Sequence, residues 1–387
     1  MRSLPVYIVA ARRTAIGRIG GLHRLRRVEV LAAPVVEAVL GDAGIGVEEV
    51  DEIIVGNCTA GDNPARLIAL ASGLPVTAMA TTIDQQCASG LEAILAAARR
   101  IAADEAAIVV AGGVESLSTA PWRIARPRSL FQTPHFIRPE PIGAPAMAEH
   151  VPHTSLEAMA ERLGITRAEQ DAWALASHRK AGEAREARRF VGEIVPLRST
   201  TEEARDQSAV DPDFDDLADL EPISGEHGTL TTGNISALHD GAAFVVAISQ
   251  AEWERRGRPP ALRPVGNAAL GVEPGQEGEA PIAAVQKLYG RLNGFDRSGI
   301  SVFEMSEASA VQAIALGRQL GLDEARINPD GGAVVRGHPL GASGAVLVTR
   351  LFSRLVRNEA RPRKARYGVA ALGANGGLGL AALFERV

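Results

Sequence analysis

The chain has 387 residues and a formal net charge of −5, which allows two or three domain-sized units around a large core. This mild acidity argues against a nucleic-acid-binding protein. The two cysteines, Cys58 and Cys87, cannot form a disulfide framework and fit a reducing compartment. No apolar run is long enough to span a membrane, and the run near the start is too short for a secretory signal. We therefore expect a globular, cytoplasmic protein without a membrane partner.

The first part of the chain alternates short apolar runs typical of buried strands with segments of helical periodicity. Such alternation indicates an α/β fold with parallel strands. Strands are predicted at residues 6–10, 52–55, 78–83 and 107–111, and helices begin near residues 28, 63 and 91.

This rhythm breaks at residues 118–153, which carry seven prolines and no sustained periodicity. A long irregular stretch of this kind is usually functional or a lid. Helices are predicted at 155–163 and 167–188, and a buried strand resumes at 240–248. The sequence thus predicts an inserted loop domain at 118–238, an N-terminal half at 1–117 with 239–260, and a C-terminal half at 261–387.

The C-terminal half repeats features of the first. Strands are predicted at 261–269, 300–304 and 367–372, and helices at 281–292, at 307–320 and after residue 344. In both halves an Ala-Ser-Gly triplet precedes an apolar helix, a strand and a Gly-Gly turn; Cys87 lies just before the first triplet, and His338 shortly before the second. A duplicated unit would place both helix N-termini near a pseudo-twofold axis, where we expect Cys87 and His338 to meet.

The thiol and the imidazole suggest acyl transfer through a thioester intermediate. A thiol at a helix N-terminus feels the positive end of the helix dipole, which lowers its pKa. His338 would accept the thiol proton or hold the thiolate as an ion pair. Oxyanion donors would be the Cys87 N–H, the N–H groups of the glycine-rich turn near Asn375, and His338 itself. Alternatively, Cys87 is a buried structural cysteine, the Gly-His-Pro segment a capped turn, and the C-terminal glycines tight strand packing.

Beyond these residues, several motifs along nearly the whole chain resemble those of the thiolase family, acetyl-CoA C-acyltransferases of the thiolase superfamily. Their order along the chain makes a chance match very improbable. The motifs are residues 9–17 (VAARRTAIG), 63–66 (NPAR), 87–90 (CASG), 111–116 (AGGVES), 228–234 (GTLTTGN), 240–243 (DGAA), 331–333 (GGA) and 337–344 (GHPLGASG).

The resemblance implies a five-layer αβαβα fold of two similar halves, with the inserted domain covering coenzyme A. It implies that Cys87 carries the acyl group, that His338 activates it, and that Ser236 lies near the pantetheine arm. It further implies a homodimer or homotetramer that uses coenzyme A as substrate or product, with no separate cofactor. No metal site is predicted, since the histidines are scattered and neither cysteine has zinc-type spacing.

Two departures from the family pattern bear on the chemistry. Gly373 occupies the place of the second catalytic cysteine, which moves a proton in condensation or thiolysis. Loss of a general acid or base slows a reaction roughly 10²–10⁴-fold. Ser306 replaces the asparagine that holds the oxyanion-hole water, and its hydroxyl is shorter. Cys58 lies in a loop after a strand, and its position gives no reason to expect it at the site. Smaller differences along the expected acyl pocket, Pro152, His153 and Glu277, would make that pocket more polar.

Three functions remain open from the sequence. The first is a working thiolase-like acyltransferase, with a role in fatty acid metabolism. The second retains Cys87 acylation but acts as a thioester hydrolase or passes the acyl group to another acceptor. The third is a non-catalytic subunit that binds coenzyme A or a partner enzyme. The arginines of the irregular stretch either meet coenzyme A phosphates or form a solvated loop; they are Arg123, Arg126, Arg128 and Arg138.

Overall fold

The structure is a computed structural model that describes residues 5–129, 131–137, 152–197, 204–208, 217–273, 275–357 and 365–387. Among these residues, no helix is long and apolar enough to cross a membrane. Its strands are β1 (Val6–Arg13), β2 (Gly17–Arg18), β3 (Glu52–Gly56), β4 (Met79–Ile83), β5 (Ile108–Glu115), β6 (Ile124–Ala125), β7 (His135–Phe136), β8 (His239–Ser249), β9 (Leu262–Gly271), β10 (Ile300–Met305), β11 (Tyr367–Ala374) and β12 (Leu378–Arg386). Its helices are α1 (Val28–Ala43), α2 (Pro64–Ala71), α3 (Ser89–Ala102), α4 (Pro152–Leu163), α5 (Arg167–Glu186), α6 (Gln250–Arg255), α7 (Ala280–Arg291), α8 (Ala310–Leu320), α9 (Ala333–Arg336) and α10 (Leu340–Phe352).

The strands form two similar sheets that meet at one edge. Their order is β10-β11-β12-β9-β1-β8-β5-β3-β4, and a single pair, Ile8 with Leu262, joins the two halves between β1 and β9. In the N-terminal half, β3 is parallel to β4 and β5, whereas β8 is antiparallel to β5 and β1. The C-terminal half repeats this arrangement: β10 and β11 are parallel, and β12 is antiparallel to β11 and β9. The expectation of parallel strands is therefore correct for only part of each sheet.

The helices and the two sheets form five layers, in the order helices, sheet, helices, sheet, helices, and three hydrophobic cores lie between these layers. The central core contains residues of α3 and α10 together with residues of both sheets. One outer core packs α1 and α2 on the first sheet, and the other packs α7 and α8 on the second. The near-continuous apolar strands follow from this arrangement, since each sheet is covered on both faces. The predicted αβαβα fold of two duplicated halves is confirmed.

The helices of the inserted segment lie on the C-terminal half. Both α4 and α5 contact α8, and α5 also contacts α9. The indole N–H of Trp173 in α5 donates to the buried carboxylate of Glu307 at 2.6 Å, which ties the insertion to the loop after β10. Arg138 of the insertion lies outside the described residues, and the described residues before it contribute the short β6–β7 hairpin.

Helix α8 and strand β12 differ from the predictions for local reasons. Helix α8 begins at Ala310 and not at residue 307, because Glu307 has a φ of +47° and the Ser309 hydroxyl caps the helix by accepting from the Gln312 N–H. Strand β12 was not predicted, because it directly follows the glycine-rich turn that dominates the pattern there. It pairs with β11 from Tyr367–Glu385 to Ala374–Leu378.

Helices α3 and α10 approach so closely that their contact requires glycine. A Cβ atom added at Gly90 would lie 2.6 Å from the Gly341 carbonyl oxygen and 3.0 Å from the Ala345 nitrogen. Backbone atoms cannot move aside as the end of a flexible side chain can. The spacing between the two central helices is therefore fixed at backbone level.

We expect Gly90→Ala to lower the free energy of unfolding by about 1–3 kcal/mol, the usual cost of overpacking. The matched control is Gly41→Ala in α1, where an added Cβ would have no atom within 4 Å. That change should be neutral or stabilising by about 0.4–1 kcal/mol through the unfolded state. Urea unfolding of both variants measures the difference, and equal midpoints would contradict the tight contact.

Candidate active site

Cys87 lies in a turn between β4 and α3 whose shape is held by its own side chains. Gln86 adopts a left-handed conformation with φ +54°. The Ser89 hydroxyl donates to the Gln86 carbonyl at 2.6 Å and accepts from the Gln85 N–H at 2.8 Å. The Asp84 carboxylate accepts from the Gln86 N–H at 2.9 Å. The first residue of α3 thus folds the turn back and fixes Cys87 ahead of the helix.

The Cys87 thiol is buried, with 6% of the residue exposed. Burial raises its pKa to about 12, although hydrogen bonding from the backbone N–H groups of Asn375 and of Cys87 itself acts to lower it. The negative charges of Glu115 and Asp84 raise it further. The predicted lowering by the helix N-terminus is wrong in sign for the resting enzyme, because desolvation of a thiolate outweighs the nearby dipoles. Cys87 therefore rests as a neutral thiol.

His338 lies in a turn at the start of α10 that is anchored to the strand entering β8. Its N–H donates to the Ala237 carbonyl at 2.8 Å, and its carbonyl accepts from the His239 N–H at 3.2 Å. Gly337 has a φ of +86°, and a Cβ there would lie 2.1 Å from the His239 ring. Only glycine fits this position, so the turn that presents His338 requires Gly337.

The His338 ring is oriented by Ser343 of α10, whose hydroxyl lies 2.8 Å from Nδ1. When Nδ1–H donates to Ser343, Nε2 carries the lone pair that can take a proton. Burial, and then the charge of His239, lower the pKa of His338 to about 4. At neutral pH the imidazole is uncharged. A resting thiolate–imidazolium pair is therefore disfavoured both by the raised pKa of the thiol and by the lowered pKa of the imidazole.

Ser306 shares a small cavity with His338. The cavity has a volume of ≈ 20 Å³, and the polar residues of its lining include Ser306, Ser343 and His338. A space of this size holds about one water molecule where polar partners are present. The Ser306 hydroxyl also donates to Gln312 Oε1 at 3.4 Å. The position is thus suited to a water-holding role.

Gly373 and Asn375 lie at the β11–β12 turn. Gly373 pairs with Gly379 at the end of the ladder, and Gly376 and Gly377 have φ values of +81° and +77° that close the turn. This turn carries the Asn375 N–H towards Cys87. A Cβ on Gly373 would lie 3.0 Å from Pro281 Cδ, 3.4 Å from the Glu277 carbonyl oxygen and 3.5 Å from Gln312 Nε2. None of these atoms exchanges protons near neutral pH.

Glu115 at the end of β5 joins the two halves at the site, a role that the sequence analysis missed. Its carboxylate accepts from the Asn57 amide at 3.0 Å, the Cys58 N–H at 3.1 Å and the Gly341 N–H at 3.0 Å. The sequence feature that could have revealed this role is an acidic residue at the end of an otherwise apolar strand. A buried charge requires several hydrogen-bond donors, so such a residue is expected to bind several backbone or side-chain groups. The loop after β3 and the N-terminus of α10 are therefore held by one carboxylate.

Cys58 lies closer to the nucleophile's turn than expected. Its sulfur is 3.1 Å from the Gln86 carbonyl oxygen and 3.7 Å from the Ser89 hydroxyl. Burial raises the pKa of Cys58, and the charges of Glu115 and Cys87 act in the same direction. The expectation that nothing places this thiol near the site is therefore wrong, because the loop after β3 packs against the turn before α3.

The other predicted site residues lie further out. Ser236 is half-buried, and both its N–H and its hydroxyl donate to the Ala308 carbonyl, at 2.9 and 3.2 Å. Arg123, Arg126 and Arg128 are exposed.

The structure thus brings Cys87 to Asn375, and His338 to Ser306. Among the described residues no hydrogen bond joins Cys87 to His338, and their direct meeting stays a prediction; Val346 and Leu347, which line the His338 cavity, belong to the same apolar core as Cys87.

Comparison with known proteins decides the family. Residues 6–251 match the thiolase N-terminal domain, and residues 260–386 match the thiolase C-terminal domain. The chain belongs to the thiolase family. The prediction made from the Cys87, Gly-His-Pro and glycine motifs is confirmed at this level.

Several members of the thiolase family are similar over their whole length. The chain is 37% identical to an acetyl-CoA acetyltransferase of Shinella zoogloeoides, over 99% of each chain. It is also 37% identical to a β-ketoadipyl-CoA thiolase of Pseudomonas aeruginosa, over 100% of each. The crystal structure of the Bacillus anthracis acetyl-CoA acetyltransferase matches with a TM-score of 0.91 at 33% identity, and the match covers 100% of this chain and 99% of that one.

The pKa of about 12 for Cys87 makes its alkylation an informative measurement. In a Cys58→Ser background, we expect the rate with iodoacetamide to rise roughly tenfold per pH unit from pH 7 to pH 10, because the thiolate fraction keeps growing. Free cysteine, with a pKa of about 8.5, should level off within that range. A plateau for Cys87 below pH 9 would show that the helix N-terminus prevails over burial.

Proposed function

We propose that this thiolase-family chain takes an acyl group from coenzyme A onto Cys87, with His338 as the proton acceptor. The observation that carries the proposal is that Cys87 and His338 each precede a central helix, α3 and α10, and that these two helices are in backbone contact at Gly90 and Gly341. Donors for an oxyanion lie in the same region, since the Asn375 N–H reaches the Cys87 sulfur.

The neutral resting state determines how acylation proceeds. With the thiol pKa at about 12 and the imidazole pKa at about 4, full proton transfer before attack is strongly unfavourable. Proton transfer to Nε2 therefore accompanies formation of the carbon–sulfur bond, and the negative charge appears on the thioester oxygen. When the intermediate collapses, the bond to the coenzyme A sulfur breaks and His338 returns the proton to that sulfur.

The second half-reaction determines which acyltransferase reaction follows. A thiolase passes the acyl group to a carbon or to the coenzyme A thiol, and needs a group that moves a proton at the acceptor. Position 373 provides no such group, and its nearest neighbours are not titratable near pH 7. The water-sized cavity lined by Ser306 and His338 supports acyl transfer to water as the alternative, since a water held there would lie beside the proposed proton acceptor. Condensation and thiolysis are the first proposal, and thioester hydrolysis the second.

Intact mass measurement after incubation with acetyl-CoA tests acylation. We expect a mass gain of one acetyl group, which Cys87→Ser abolishes and the matched variant Cys58→Ser retains. Retention of the adduct in Cys87→Ser, or its loss in Cys58→Ser alone, would contradict the assignment of Cys87 as nucleophile. Absence of an adduct in the unmodified protein would favour a non-catalytic, coenzyme A-binding subunit.

Restoring a thiol at position 373 tests the reading of the second half-reaction. We expect Gly373→Cys to raise the rate of acetoacetyl-CoA cleavage by added coenzyme A about 10²-fold or more, the range for a restored general acid/base. A side chain fits there after shifts of a few tenths of an ångström. Gly373→Ala is the matched control, since it fills the same space without a thiol and should leave the rate low.

A fast rate in the unmodified protein, close to that of a two-cysteine thiolase, would show that Gly373 does not limit the reaction. Release of free acetate in place of acetyl-CoA would identify the hydrolase. The product ratio thus separates the two proposals, while the rates test the role of position 373.

The proposal also covers the cellular location, the metabolic role and the oligomeric state of the enzyme. Similarity to acetyl-CoA acetyltransferases and to a β-ketoadipyl-CoA thiolase supports a cytoplasmic enzyme of acyl-CoA metabolism, including fatty acid metabolism. By the same similarity we propose a homodimer or homotetramer, with coenzyme A as substrate or product and no separate cofactor. Sedimentation measurements would determine the oligomer.

A further inference from the structure

A second and much larger cavity lies between the C-terminal part of α5 and residues 204–208. Its volume is ≈ 480 Å³, within the range of small-molecule sites. Cys87, Ser236 and Gly373 are not part of its lining, so it is distinct from the acyl site described above. Its described lining contains five basic residues: Arg18, His178, Arg185, Arg205 and Arg336.

The acidic residue in this lining, Asp206, is already neutralised. Its carboxylate accepts from Arg13 Nη1 at 2.6 Å, from Arg13 Nη2 at 3.0 Å and from the Ile16 N–H at 2.9 Å. Burial opposes its charge, but Arg13 holds the pKa of Asp206 below its ordinary value. Among the described residues, Arg185, Arg205 and Arg336 of the lining form no ion pair with this or another acid.

Arg336 is the residue that most requires a ligand. It is buried, with 4% exposed, and its Nη1 has no hydrogen-bond partner. Within the described parts of the chain it forms no ion pair. The acid that interacts most strongly with the charge of Arg336 is Glu304. The carboxylate oxygens of Glu304 have no hydrogen-bond partner, and burial raises its pKa to about 7. A buried guanidinium without a partner is costly, and an anion in the cavity would remove that cost.

Guanidinium groups bind carboxylate and phosphate oxygens in pairs. We propose that this cavity is a binding site for a small polyanion carrying phosphate or carboxylate groups, held by Arg336 inside and by the exposed Arg185 and Arg205 at its mouth. Arg336 also lines the cavity beside His338. The site therefore adjoins the acyl site through one side chain while binding a different molecule.

Calorimetric titration of the full chain with inorganic pyrophosphate, in saturating coenzyme A, tests this site independently of catalysis. We expect binding that weakens with added salt, and that the double variant Arg185→Gln/Arg205→Gln weakens at least tenfold. Arg258→Gln removes the same charge from an exposed arginine paired with Glu254 at 3.1 Å and should bind as the unmodified protein does. Citrate is the second probe: tighter pyrophosphate binding identifies a phosphate ligand, and tighter citrate binding a polycarboxylate.

Three results would overturn the inference. They are no binding of either probe, equal binding by the double variant, and binding that occurs only when coenzyme A is left out of the titration, which would place the probes in the acyl-CoA site. Because no turnover is measured, failure here leaves the acylation experiment unaffected, and failure of acylation leaves this result unaffected.

Discussion

The backbone contact around Gly341 is the constraint on which the rest of the structure depends. Added Cβ atoms at Gly56, Gly90 and Gly113 would lie 2.8, 2.6 and 2.1 Å from the Gly341 carbonyl oxygen. The N–H of the same residue donates to Glu115. The backbone of Gly341 in α10 is therefore enclosed by three glycines of the other half and bound by the buried carboxylate of Glu115. The position of His338, three residues earlier, follows from that contact.

This close packing also sets the electrostatics of the site. Two central helices that exclude water leave Cys87 and His338 desolvated, and desolvation disfavours the thiolate and the imidazolium alike. Both groups therefore rest uncharged, and charge appears only as the thioester is attacked. The backbone N–H groups are then more useful to the oxyanion of the transition state than to the resting thiolate, which is the arrangement expected of a preorganised site.

Much of this could be predicted from the sequence, because the repeat is local. An Ala-Ser-Gly triplet before an apolar helix occurs in both halves, and it located Cys87 and His338 together with the duplicated fold. The interactions that were missed depend on residues distant in sequence. Glu115 meets Gly341 across 226 positions, and Cys58 meets Gln86 only because two loops of one sheet edge pack together. Strand β12 was not predicted because the glycines at and just before its start indicated a turn. Its pairing with β9 and β11 depends on tertiary contacts.

The change at position 373 acts on only one part of this arrangement. The proposed acylation would use Cys87, His338 and backbone N–H groups, and the packing at Gly341 fixes the helices that follow Cys87 and His338. Transfer from the acyl-enzyme instead needs a proton-moving group beside the acceptor, and at Gly373 the neighbouring atoms are a proline carbon, a carbonyl oxygen and an amide nitrogen. A fold constrained to preserve the first half-reaction can therefore lose the partner of the second without losing its shape.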